Sequence, residues 1–239
     1  MSARRVHLPP ERIGAGRAEL TPEARHYLCD VLRLEAGAAV ELFDGRGHAW
    51  DATLGAGGDA LVLGAPREAP ARGATIALLF ALAKGEKNDL VVQKATELGA
   101  ARIAPFAAAR SVVRLEAEKA QERTGRWRRI AEEAARQCGR ADVPELLAPL
   151  PLAGALAALP PGLDVVVFQP GGVALASLEA GPEGVAAVIG PEGGLDDAEL
   201  AACAAAGARR ATLGPRVLRA ETAAIVAVAM LQARFGDMG

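Results

Sequence analysis

Val185-Ala186-Ala187-Val188-Ile189-Gly190-Pro191-Glu192-Gly193-Gly194 is the stretch on which the reading of the fold turns. Five consecutive apolar residues without polar alternation describe a strand buried on both faces, as in a parallel sheet covered by helices. A sharp turn follows, in which Pro191 fixes φ while the glycines permit positive φ and close backbone approach. Asp196-x-x-Glu199 then has the form of a capping box, opening a helix that ends at Gly207. Strand, glycine turn and helix in that order form the repeating unit of an α/β sheet.

The same rhythm extends outward. Thr75–Leu82 is another unbroken apolar run. Asn88 is placed to cap a helix with Leu90, Val91, Ala95 and Leu98 on one face, closed by Gly99. Arg102–Phe106 is a weaker strand. A long helix is expected from Glu116 to Cys138, with Trp127, Ile130, Ala131, Ala134 and Cys138 at helical spacing and Gly139 as its cap. Asp164–Phe168 and Ala211–Leu213 are further strands, and Glu221–Arg234 is a final apolar helix.

The first seventy residues differ. Val40–Phe43 and Ala49–Leu54 flank Asp44-Gly45-Arg46-Gly47, a strong hairpin signal, and a third run spans Ala60–Leu63. Thr21 and Pro22 suit the start of a short helix reaching Leu32. Ala65–Gly73 is rich in Pro, Gly and charge. The expected division is therefore a β-rich unit, 1–72, and an α/β unit, 73–239.

Composition excludes several chemistries. Cys29, Cys138 and Cys203 are odd in number and far apart, which argues against disulfides or a zinc cluster and for a reducing compartment. No metal site is expected. Met1–Pro10 has no apolar core, so it is not a signal peptide, and no charge-free run reaches membrane-spanning length. A soluble, cytoplasmic protein is expected. No G-x-G-x-x-G, Walker A or G-x-S-x-G motif occurs, and with three serines a serine hydrolase is improbable. Net charge is −2, yet Arg102–Arg140 carries ten Lys/Arg against five Asp/Glu. That excess suits phosphate neutralisation and equally suits a solvated helix face.

Two turns bear on function. Gly190–Gly194 is either an ordinary connection or a bare backbone surface against a flat ligand such as adenine, at the strand end where α/β sheets place ligands. Leu213-Gly214-Pro215-Arg216-Val217-Leu218-Arg219-Ala220-Glu221-Thr222-Ala223 also follows a strand and opens the last helix. Glu221 or Thr222 suits a helix cap. Arg219 is harder to explain as structure, because it interrupts a run destined for burial. Either turn alone is a weak signal; the pair is strong.

Those two segments resemble the SPOUT family of 16S ribosomal RNA (uridine-N3)-methyltransferases. Further matching stretches are His26–Arg33, Leu42–Gly45, Lys84–Lys87, Gln93–Gly99, Glu133–Arg140 and Arg234–Asp237, so the resemblance runs in order through nearly the whole chain. It implies a small N-terminal PUA-like β-barrel that docks RNA, then a C-terminal trefoil-knotted parallel α/β domain. It further implies a homodimer through the C-terminal domain, S-adenosylmethionine as cofactor, and 16S ribosomal RNA or the small ribosomal subunit as partner. Carried over by position, the cofactor pocket comprises Phe168, Gln169, Ile189, Gly190, Pro191, Gly193, Leu213, Gly214, Val217, Leu218 and Thr222. Phe168-Gln169-Pro170-Gly171-Gly172 departs from relatives that carry a histidine or acidic residue near the proline.

Uracil N3 is a poor nucleophile until its proton is lost, so the site must favour the anion. Arg219 is the expected electrostatic stabiliser, Glu221 the base or the orienter of that arginine, and Arg110 an RNA or base contact, unless it is a plain loop charge. Cys138 and Trp127 fit core positions better than covalent catalysis or base stacking. Two rivals remain: a non-catalytic RNA-binding factor, and ribose 2′-O methylation.

Overall fold

Residues 4–67, 73–111, 117–181 and 183–238 are described by the computed structural model of the chain. The expected boundary stretch, Ala65–Gly73, lies largely outside them, as does Glu116, the expected first residue of the long helix. Two compact units form: Met1–Ala71 with Glu132–Val143, and Arg72–Ala131 with Pro144–Gly239.

The first unit contains β1 (Arg5–His7), β2 (Arg17–Glu19), α1 (Pro22–Arg25), β3 (Ala39–Phe43), β4 (Ala49–Leu54) and β5 (Ala60–Arg67). The strands form one sheet in the order β1-β3-β4-β5-β2, with β1 parallel to β3 and the other pairs antiparallel. Leu8, Leu28, Leu42 and Leu61 are fully buried in its core, each worth about 1.5–3 kcal/mol on burial. The expected hairpin joins β3 and β4. Asp44 Oδ1 accepts the amides of Arg46 (2.7 Å) and His48 (3.0 Å), and Gly45 takes φ 72° where a Cβ would lie 2.8 Å from His7 Nε2. Thr21 caps α1 through Ala24 N (3.1 Å). The helix expected to reach Leu32 changes after Arg25 into a π-helical turn, His26–Val31.

Arg5 is buried, and its partners explain why Glu132–Val143 belongs with this unit. Its Nε donates to Glu41 Oε1 (2.6 Å), and its Nη groups donate to the carbonyls of Ala135, Arg136 and Arg140 at 3.0, 3.3 and 3.0 Å. Those are acceptors at and just beyond the last turn of α3 (Ala117–Cys138), groups that a helix cannot satisfy internally. Gly139 (φ 90°) closes that helix as expected. Cys138, expected in the core, is exposed: it shares the face of Trp127 and Ala131, but the packing that buries them does not extend to the last residue of the helix. Trp127 is core, 1% exposed, with its indole donating to Asp89 Oδ1.

The second unit is built on β6 (Thr75–Ala81), β7 (Arg102–Ala107), β8 (Glu145–Leu146), β9 (Leu150–Pro151), β10 (Asp164–Ala174), β11 (Gly184–Ile189) and β12 (Arg209–Thr212), with α2 (Lys87–Glu97), α4 (Leu152–Ala157), α5 (Asp197–Ala205) and α6 (Ala220–Phe235). Every pairing is parallel, in the order β12-β10-β11-β6-β7-β8, with β9 also pairing β7. Ala77, Leu79 and Ala81 of β6 pack in one cluster with Leu152, Leu156 and Cys203 from α4 and α5. Ile76, Leu78 and Phe80 are buried on the opposite face, since α6 packs on β6, β11 and α2. Two covered faces explain the unbroken apolar runs.

Several local expectations are corrected. Asn88 does not cap α2; Glu86 is the N-cap residue. The Asn88 side chain is buried and bonds both Ala83 N (2.9 Å) and Ala83 O (2.7 Å) instead. Leu90 is 43% exposed, and Val92 and Thr96 fill the buried face with Val91 and Ala95. β10 does not end at Phe168. It bulges so that Phe168 and Val173 both face Ala211 of β12, and a Cβ on Gly172 would lie 2.4 Å from the Ala211 carbonyl carbon. The capping box holds: Asp196 Oδ1 accepts Glu199 N (2.8 Å) and Glu199 Oε2 accepts Asp196 N (2.9 Å).

Candidate active site

β12, β10 and β11 are parallel neighbours; at one edge of them the chain leaves β11 and β12 through turns rich in Gly and Pro, and β10 makes its bulge through Pro170, Gly171 and Gly172. The two turns and the bulge enclose a cavity of about 200 Å³. Of the expected cofactor residues, Phe168, Gln169, Ile189, Gly190, Pro191, Leu213, Gly214, Val217 and Leu218 line it. The two turns singled out in the sequence therefore share one space.

Two expected residues lie off its wall. Gly193 instead offers its carbonyl to Arg110 Nη1 (3.1 Å), and Thr222 is exposed on the first turn of α6. Leu195, Ala220 and Ala223 line the cavity without having been anticipated. Ala220 and Ala223 are small apolar residues inside a helix, and such residues carry no local signal of a pocket.

The walls suit an adenosine-bearing cofactor. Gly214 takes φ 108°, and a Cβ there would meet no atom within 4 Å, so its bare backbone fronts open space. Gly190 sits tightly, since a Cβ would come within 3.1 Å of Leu195 Cγ. Val217 is 87% exposed, an apolar side chain on the cavity rim. Among the described residues, no group of three or more His, Cys, Asp or Glu is placed to hold a metal ion.

Arg219 is the N-cap residue of α6, exposed and without a side-chain cap bond. Among the described residues, no hydrogen bond or ion pair joins it to Glu221, two residues on. Glu221 Oε1 pairs instead with Lys87 Nζ at 3.1 Å, while Lys87 also reaches Glu192 Oε1 at 3.7 Å. Glu221 Oε2 is buried without a hydrogen-bond partner among the described residues. Burial pushes its pKa up, but a backbone hydrogen bond and the charges of Lys87 and Arg219 outweigh that and hold it below the ordinary value. One ammonium thus ties the turn after β11 to the start of α6. Lys87 went unassigned in the sequence, because its partners stand more than a hundred residues away.

A second cavity, about 220 Å³, adjoins the first through Pro191 and Glu192, which line both. Its other walls are Leu82, Ala83, Lys84, Lys87, Arg110 and Ser111. The Asn88–Ala83 bonds shape the segment carrying Lys84 and Lys87. Arg110 is placed by its bond to Gly193 and by Ala109 N donating to Glu199 Oε1 (2.9 Å), which fastens the turn to the start of α5. Among the expected catalytic residues, Arg110 therefore sits at this second cavity, while Arg219 and Glu221 stand where α6 begins.

Comparison with known proteins agrees with this arrangement. A family described as RNA methyltransferase domain matches residues 70–232, and one described as RNA methyltransferase PUA domain matches 20–63. The ribosomal RNA small subunit methyltransferase E of Synechocystis sp. is 33% identical, covering 97% of this chain and 78% of its own. The Bacillus subtilis protein of that name is 37% identical over 63% of this chain and 62% of its own. Among solved structures, the ribosomal RNA small subunit methyltransferase E from Neisseria gonorrhoeae, bound to S-adenosyl methionine, superposes with a TM-score of 0.88 at 29% identity, covering 99% of this chain and all of that one. A Legionella pneumophila protein in complex with the bound cofactor SAM gives 0.89 at 33% identity over 99% of this chain and all of that one. Matched in both units and over nearly its full length, the chain belongs to the ribosomal RNA small subunit methyltransferase E family.

Proposed function

We propose that the chain transfers a methyl group from S-adenosylmethionine to N3 of a specific uridine in 16S ribosomal RNA. The observation that carries this is the pair of adjoining cavities: a glycine-walled one shaped for adenosine and a lysine- and arginine-lined one for the nucleotide, sharing Pro191 and Glu192. The cofactor-bound relatives support the first half of the reading. The bound cofactor supplies an electrophilic methyl group on a sulfonium, so positioning the acceptor dominates the work of the protein.

The chain's own residues divide that work. Arg219 stabilises negative charge on the uracil carbonyl oxygens as N3 loses its proton. Arg110 contacts RNA at the second cavity. Glu221, whose pKa a backbone hydrogen bond and Lys87 hold below the ordinary value, is poorly matched to take so weakly acidic a proton; it anchors Lys87 and the turns around it. The PUA-like unit docks the RNA, and the acceptor base is flipped or unpaired, because pairing hides N3. The same reading makes the protein a cytoplasmic homodimer through its second unit, with the loops around the cavity threaded as a trefoil knot.

Mass spectrometry of 16S ribosomal RNA from cells with and without the protein tests the proposal. One N3-methyluridine should vanish with it; loss of a ribose methyl would redirect the reading to 2′-O transfer. Arg219→Ala should abolish methylation while S-adenosylmethionine affinity stays within about tenfold. Wild-type turnover in that variant would remove Arg219 from the mechanism.

A further inference from the structure

Among the described residues, positive φ is taken by fourteen glycines and one other residue, Arg33, at 52°. The backbone there has a clear reason to turn. Leu32 ends the π-helical turn at φ −83° and ψ −13°, and Leu34 N must return to Leu28 O (2.9 Å) so that Leu34 can pack on the core of the first unit. A left-handed residue between them permits this, and at such helix ends glycine is the residue without a steric penalty. The chain obeys that rule at Gly99, Gly139 and Gly207, each just past a helix. At position 33 it places a long cation instead.

Among the described residues, no contact of the Arg33 side chain compensates that strain. The Arg33 guanidinium is exposed, and it has no hydrogen bond, ion pair or ring contact among the described residues. Some arginines of the unit are engaged, Arg5 with Glu41, Arg67 with Glu41 and Asp51, Arg136 over the Tyr27 ring; what sets Arg33 apart is the combination of an exposed guanidinium with a positive φ. The nearby acid, Asp30, is paired with His26 (2.9 Å). The turn accounts for the backbone conformation but not for a long cation in place of glycine, and a disfavoured residue whose side chain has no contact of its own points to an external partner; a π-helical turn directly before it is the kind of irregularity found beside functional sites.

We infer that Arg33 is a phosphate-binding residue of the RNA-docking surface, presented by the π-turn to a phosphodiester of the substrate RNA. The inference rests on the function proposed above, and it adds a contact on the first unit, within the segment 20–63 that matches the RNA methyltransferase PUA domain. A planar guanidinium meets phosphate oxygens with two parallel donors, and such contacts set position and affinity without reading bases.

The substitution that tests this is Arg33→Gly in the full-length protein, since glycine keeps the backbone and removes only the side chain. Its thermal midpoint should equal or exceed that of the wild type. The KM for 16S ribosomal RNA should rise roughly three- to tenfold, with kcat at saturating RNA and S-adenosylmethionine affinity little changed. The slope of log affinity against log salt should become shallower by about 0.7–0.9, the signature of one lost phosphate contact. Arg33→Lys should keep the salt slope while recovering part of the affinity. Wild-type KM and salt slope in Arg33→Gly would overturn the inference, and so would a lowered midpoint, which would make the side chain part of the fold. Failure of the wild type itself to methylate 16S RNA would overturn both this inference and the function beneath it, an outcome read before any variant is made.

Discussion

Replacing Lys87 by methionine isolates the ion pair that joins the cavity's turns. At 3.1 Å the Coulomb attraction is about 5 kcal/mol at an effective dielectric near 20. The Glu221 side chain is 12% exposed and that of Lys87 37%, so water at the ammonium screens much of it. A coupling of about 1–2 kcal/mol follows, between the values typical of exposed and of buried pairs. For a domain of 150–250 residues this lowers the melting temperature by about 2–8 °C. The pH dependence has a definite sign. A carboxyl held below its ordinary pKa stabilises the fold fully above its unfolded value, and the contribution is lost as pH falls through the folded one. Without Lys87, two of the causes that hold the Glu221 pKa down are lost and the pKa rises. The gap between wild type and Lys87→Met should be widest near neutrality and close in acid, once the pH has fallen through the lowered folded pKa and a protonated Glu221 needs no cation. Scanning calorimetry on wild type, Lys87→Met, Glu221→Gln and the double variant yields the coupling as a thermodynamic cycle. Asp44, whose carboxyl is also held low, is common to all four and cancels. A coupling under about 0.3 kcal/mol, or a gap that persists in acid, would refute the reasoning.

Arg5→Met should destabilise the first unit by about 3–5 kcal/mol, because Glu41 and the carbonyls closing α3 lose a buried cation; chemical denaturation checks this, and a loss below 1 kcal/mol would contradict it. Gly172→Ala should cost about 1–3 kcal/mol and weaken S-adenosylmethionine binding measured by calorimetry, since the added Cβ meets Ala211 backbone beside the cavity; unaltered binding would show that the bulge does not shape the pocket. Burial pushes the Cys203 thiol up to about 11, so iodoacetamide at pH 8 should modify exposed Cys138 well before Cys203, as intact-mass spectrometry will reveal; equal rates would argue against the buried placement.

The sequence announced those features whose cause is local. An apolar run followed by Gly-Pro-Glu-Gly-Gly specifies a covered strand and a turn wherever it occurs, and Asp196 with Glu199 makes its capping box from four consecutive residues. The pairing of the two glycine turns into one cavity was also legible, because both follow parallel strands and must emerge at the same edge. Asn88 misled because an amide that can cap a helix can equally brace the loop before it. Cys138 misled because helical spacing says which residues share a face but not where along the helix the neighbour ends. Lys87 with Glu221, and Arg5 with the end of α3, join residues 134 and about 130 apart. Only the folded chain shows that such charges meet.

The cavity is walled by segments that leave the ribosome at different times. At about 5–20 residues per second, Phe168 precedes Ala223 by roughly 3–11 s, so β10 and β11 must wait without ligand until the last wall is synthesised. A nascent chain that stops short of Ala223 lacks one wall of the cavity, so the methyl donor can contribute its full share to folding only after that wall has emerged. From then on it acts by mass action on the finished unit alone, so cells poor in S-adenosylmethionine should carry this protein in a form more readily cleaved by proteases.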